Sequence, residues 1–113
     1  MSLKIKQSNA TTTLAELADV SKWVYSSTTG VTAFSPGTIY YLGTITSLTY
    51  TLSGATNGCE WRFCFKTGST APTITHPSGV KIGDLKIQAN KWVEINIVQW
   101  GGSKYLAWKD WPV

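Results

Sequence analysis

A chain of 113 residues, 42% of them hydrophobic, can bury one core without a staple and is too apolar to stay disordered. Its net charge of +4 comes from ten basic residues spaced singly, one of them arginine. Nucleic-acid surfaces cluster Arg and Lys on one face, so the pattern argues against a nucleic-acid partner. No apolar run approaches the ~20 residues of a membrane span, and the start MSLKIKQ lacks the apolar stretch of a signal peptide, so no membrane partner is expected.

In chain order, residues 3–7 alternate and read as a first strand. Thr13 and Glu16 fit a capping box, and Leu14, Leu17 and Val20 then line one face of a short helix over residues 14–20. Residues 21–25 read as a short strand carrying Trp23 and Tyr25, residues 26–30 as a loop and residues 31–34 as a weak strand. Ser35-Pro36-Gly37 is a turn. Residues 38–42 and 44–52 read as strands separated by Gly43. Leu48, Tyr50 and Leu52 share a face in the second, and Ile45 is out of phase with them, which a bulge near Thr46-Ser47 would correct.

Residues 53–58 (SGATNG) are expected to be a hairpin loop leading into the strand EWRFCFK. There Trp61, Phe63 and Phe65 point one way, and Glu60, Arg62, Cys64 and Lys66 the other. Three rings on one face imply burial, because each hides on the order of 150–250 Å² when packed. Short strands at residues 73–75 and around Leu85 and Ile87 follow. The segment 92–100 puts Val93, Ile95 and Ile97 on one side, and Gly101-Gly102-Ser103 closes a hairpin to residues 104–108. Abundant Thr and Ser and some ten short strands predict an all-β fold, an antiparallel β-sandwich or jelly roll with one short N-terminal helix. A single domain over residues 1–113 is expected.

Little in the sequence suggests catalysis. His76 is the only histidine, set between Thr75 and Pro77 without the partners a hydrolase needs. Glu60, Glu94, Asp84 and Asp110 could supply a glycosidase pair, but alternation puts Glu60 and Glu94 on a solvated face. No phosphate-binding glycine loop, metal-ligand spacing or cofactor motif is present, so a non-enzymatic protein without cofactor or metal is expected.

The segments LGTITSLTYTL (residues 42–52), EWRFCF (60–65), TGSTAPTITHPSGV (67–80) and ANKWVEINIV (89–98), with the terminal aromatic strand (105–108), resemble a small β-sandwich module. That module occurs in tail and tail-tip proteins of phages and prophages of Gram-positive bacteria. The resemblance covers about 70 residues, and TGSTAP and the Asn-Lys pair are its most specific parts. It implies a non-enzymatic structural protein of the tail, baseplate or host-adsorption apparatus, folded in the host cytoplasm and then carried in the virion. Its partners would be other tail proteins, with a homo-oligomeric site in the virion. With Met1 only forty residues before the matched stretch, a free-standing component is expected. The first 30 residues fall outside the match, and Leu14, Leu17 and Val20 make them a candidate docking arm.

Six tryptophans in so short a chain need an explanation. Trp61 and Trp23 are core by pattern. Trp92, Trp100, Trp108 and Trp111 are candidates for a contact surface, because exposed aromatics mark protein or saccharide contacts. The alternative function is therefore a carbohydrate-binding module that grips host cell-wall saccharides.

Cys59 and Cys64 on one strand would lie about 16 Å apart, at roughly 3.3 Å per residue, whereas a disulfide needs Cα atoms within about 7 Å. Free thiols fit folding in a reducing cytoplasm. Mass spectrometry of the unreduced, unfolded chain should find two alkylatable thiols; an intact Cys59–Cys64 bridge would overturn their placement.

Overall fold

The structure is a computed structural model and describes the strand Val24–Ser27 and residues 32–113. The helix expected over residues 14–20, with Leu14, Leu17 and Val20, lies outside the described residues, as do Trp23 and the strand expected over residues 3–7.

The described chain is all-β. Ten strands run in order: β1 (Val24–Ser27), β2 (Ala33–Phe34), β3 (Thr38–Ile45), β4 (Ser47–Thr49), β5 (Thr51–Leu52), β6 (Glu60–Thr67), β7 (Thr73–Thr75), β8 (Val80–Lys81), β9 (Lys91–Trp100) and β10 (Ser103–Pro112). Six form one sheet in the order β1-β3-β6-β9-β10-β8, and β2-β5 and β4-β7 form two short ladders.

Strand direction departs from the expected antiparallel pairing. The pairs β1/β3, β3/β6, β2/β5, β4/β7 and β8/β10 are all parallel, and only β6/β9 and β9/β10 are antiparallel. The chain therefore winds. Two parallel strands cannot be joined by a tight hairpin and need a crossover. The crossover from β3 to β6 is made of β4 and β5, each of which pairs with a strand from a neighbouring turn of the coil. Tyr40 thus lies beside Phe63, Leu48 beside Ile74, and Phe34 beside Leu52. Residues 53–58 form the corner that closes this turn rather than a hairpin, because β5 and β6 belong to different ladders.

The phase break around Ile45 also has a different origin. The β3/β6 register passes from Tyr41↔Cys64 to Thr44↔Lys66, three residues against two, so the bulge lies at Leu42-Gly43. Gly43 adopts φ 73°, which a residue with a Cβ rarely does. The bulge turns Thr44 outward and Ile45 inward, where Ile45 packs against the core. Near Thr46 the chain bends into β4 instead.

The core lies between the inner face of the six-stranded sheet and the two short ladders. Trp61, Phe63, Phe65, Val93, Ile95 and Ile97 come from the sheet's centre, with Leu42 beside them on β3 and with Leu48 and Tyr50 completing the cluster. Phe34, which the sequence placed only in a weak strand, is fully buried at the middle. Its ring stacks on Phe63 at 4.6 Å and tilts against Tyr40 at 4.8 Å and Tyr50 at 5.6 Å. Leu52, expected in the core, is half-buried at its margin, and Leu85 and Ile87 pack there from a loop rather than a strand.

Trp61 and Thr67 pair their polar atoms at the core's edges. The buried Trp61 indole donates to the Ser53 carbonyl at 2.9 Å. Thr67 Oγ1 donates to the Gln88 carbonyl at 2.7 Å and accepts from the Lys91 amide at 2.8 Å, fastening the loop after β8 to the end of β6. Asn90, in the left-handed region at φ 58°, lets the chain reverse there into β9. The β9–β10 hairpin closes on two glycines, with Gly101 at φ 59°, as the first position of a type II′ turn requires.

Phe34→Ala and Phe63→Ala should each cost about 3–5 kcal/mol by urea denaturation. The double variant should lose less than the sum, because the two rings share one contact. A loss below about 1 kcal/mol for either would mean that its ring is not buried.

Candidate functional site

The other face of the large sheet is the candidate site. Alternation along β6 and β9 sends every second side chain away from the core, and the ladder registers bring these outward residues together. Ile39 and Tyr41 come from β3, Arg62, Cys64 and Lys66 from β6, Trp92, Glu94, Asn96, Val98 and Trp100 from β9, and Tyr105, Ala107, Lys109 and Trp111 from β10. None of these residues belongs to the core or to the half-buried shell packed against it.

Aromatic rings occupy both ends of this face. At one end Trp92 and Trp111 sit directly opposite each other on adjacent strands. The Tyr41 and Trp92 rings approach to 5.1 Å, although their strands are separated by β6. Strands two places apart are about 9.6 Å from each other, so both rings must lean across β6 to meet. The Lys66 ammonium lies 5.7 Å from the Trp92 ring centre, within cation–π range. Cys64 is the register partner of Tyr41 and of Glu94; burial, with a smaller contribution from the Glu94 carboxylate, pushes its thiol pKa up. At the other end Trp100 is 60% exposed and Tyr105 45% exposed. The two ends are about 27 Å apart along β9, at roughly 3.4 Å per residue.

Between the ends the face is polar. Arg62 Nε lies 3.4 Å from Glu94 Oε2, both side chains about one-third exposed, so the pair adds at most about 1 kcal/mol of stability. Lys109 stands directly across from Glu94, and Ala107 across from Asn96. The small Ala107 leaves room, and these residues line a depression of about 160 Å³. Asn96 Oδ1 is shielded from solvent there and has no hydrogen-bond partner. An amide oxygen left so costs on the order of 1–3 kcal/mol, which a ligand donor would recover.

Of the four tryptophans expected at a contact surface, Trp92, Trp100 and Trp111 share this face. Trp108 does not: it is the register partner of Ile95, turns to the core side, and donates its indole N–H to Asp84 at 3.1 Å. Its position follows from the strand period, which separates Trp108 from Trp111 by an odd step. Tyr41, Arg62, Asn96 and Lys109 were missed as site residues. The alternation placed Arg62 and Asn96 outward, but only the ladder register sets them side by side. No protein-family model, curated protein or solved structure matches the chain.

His76, on the core side, is tied to Tyr50: Nδ1 lies 2.7 Å from the phenol oxygen and the rings meet edge to face. Burial pushes the Tyr50 pKa far up, so the phenol stays protonated beside the imidazole. Burial also holds the His76 pKa below its ordinary 6.5. The unfolded chain therefore takes up this proton at a higher pH than the folded chain. The contribution to stability is complete above pH 6.5 and is lost as pH falls through the folded value. The melting temperature should fall between about pH 8 and pH 5 more steeply than that of His76→Gln; equal slopes would show that the imidazole does not titrate against folding.

Proposed function

We propose that the chain is a non-enzymatic structural component of a phage tail, baseplate or host-adsorption apparatus, and that it works by binding through the outer face of its large sheet. The observation that carries this reading is that face. It bears Tyr41, Trp92, Trp100, Tyr105 and Trp111, and nothing among the described residues packs on it. Trp and Tyr left outside a core are the residues that dominate binding contacts. The sequence resemblance supports the tail assignment. Its segments map onto β3 to β7 and the β9–β10 hairpin, the strands that enclose the core and display this face. The single core shared by the large sheet and residues of the short ladders supports the sandwich that the resemblance implies.

The inner side of the sheet is a packed core and the outer side a set of fixed side chains on rigid strands. That division suits a subunit held in an assembly, where binding must not disturb the fold. Antibodies against the chain should label the tails of phage particles released by the strain that encodes it, in immunogold electron microscopy. The double variant Trp92→Ala/Trp111→Ala should keep its melting temperature within a few degrees yet lose tail incorporation or host adsorption at least about tenfold. Particles without label, or a double variant that assembles and adsorbs normally, would overturn the proposal.

A further inference from the structure

Resting on that reading of the outer sheet face, we infer that the face is a saccharide-binding platform, which takes an oligosaccharide of pyranose rings along β9. A pyranose has an apolar C–H face and a rim of hydroxyls. It is recognised by aromatic rings that accept the first and by fixed planar polar groups that bond the second. Both are present in the arrangement such a ligand needs. Trp92 and Trp111 stand side by side at one end, and Trp100 and Tyr105 at the other. Arg62, Glu94, Asn96 and Lys109 line the depression between them. The Asn96 Oδ1 atom, shielded and without a hydrogen-bond partner, is an acceptor waiting for a hydroxyl donor. The span of about 27 Å between the aromatic ends, at roughly 3.4 Å per residue of β9, suits several linked sugars rather than one.

Charge separates this occupant from the others. Arg62, Lys66 and Lys109 share the face with Glu60 and Glu94, and Arg62 is paired with Glu94. That near-balance lacks the cationic surplus that holds a phosphate backbone. The charged centre is also unlike the core of a protein interface, which is depleted in charge. A hydroxyl-rich, weakly charged ligand loses least by meeting alternating donors and acceptors of both signs.

The test is a ¹⁵N NMR titration of the full chain with three probes: a hexamer of β-1,4-linked N-acetylglucosamine, soluble cell-wall polysaccharide released from Gram-positive cells, and poly(glycerol phosphate), which contains no sugar ring. At least one of the first two should give saturable shifts of the Trp92 and Trp111 indole N–H signals and the Asn96 side-chain amide. Trp111→Ala, at an exposed position, should weaken that binding about tenfold with the melting temperature unchanged, and Asn96→Ala should weaken it about tenfold without lowering the melting temperature. Absence of shifts with both ring-containing probes would overturn the inference, as would equal binding of poly(glycerol phosphate) or shifts confined to the core side. If saccharides fail to bind while Trp92→Ala/Trp111→Ala still drops out of tails, the tail-contact reading stands and the saccharide inference falls.

Discussion

Strand β6 carries the constraint on which the rest depends. It must satisfy a parallel partner, β3, along one edge and an antiparallel partner, β9, along the other, while burying Trp61, Phe63 and Phe65 on a single face. A slip of one residue in either ladder would turn all three rings to solvent. Register is therefore fixed from both sides by the same hydrophobic demand. The bulge at Leu42-Gly43 in β3 follows from it, since the bulge returns Ile45 to the core after Thr44 has been turned out beside Lys66.

Winding the chain through parallel ladders has a consequence for the two faces of the large sheet. Each turn of the coil returns through β4 and β5, or through β7, on the same side, so the short ladders all accumulate over one face and close the core there. Among the described residues, none of the short strands joins the other face. At its centre Arg62 and Glu94 are about one-third exposed, and Trp100, Tyr105 and Trp111 are more open. Rigid strands set their spacing, and the cross-strand pairs Trp92↔Trp111 and Glu94↔Lys109 are fixed by the β9–β10 ladder that the Gly101 turn starts. A surface built this way is pre-organised, so binding to it orders few side chains and loses little entropy.

The polar groups of the core illustrate the same economy. Thr67, the one buried polar residue among those described, donates its hydroxyl proton to the Gln88 carbonyl, accepts from the Lys91 amide and ties the loop before β9 to the end of β6. Tyr50 lies in the aromatic cluster and sends its hydroxyl outward to His76, which gives the chain's only histidine a structural use. In each case a polar atom in an apolar setting has a fixed partner, as burial requires. Asn96 Oδ1 on the open face and Gln99 Oε1 near the β9–β10 turn depart from this.

The sequence by itself determined the inward and outward sets of β6 and β9, and with them the core residues Trp61, Phe63, Phe65, Val93, Ile95 and Ile97. It also indicated the all-β class, the two unpaired cysteines and the Gly101-Gly102 hairpin. These are local properties: a period of two and a turn residue act within a few positions of the chain. The tertiary structure alone decided that five of the seven ladders run parallel, that Phe34 stands at the centre, and that Trp108 faces away from Trp92, Trp100 and Trp111. Strand direction and partner depend on contacts between residues far apart in sequence, such as Phe34 with Phe63, and alternation is the same whichever way a strand runs. The site followed the same rule: Arg62, Asn96 and Lys109 are each ordinary outward residues, and only the register of three strands sets them around one depression.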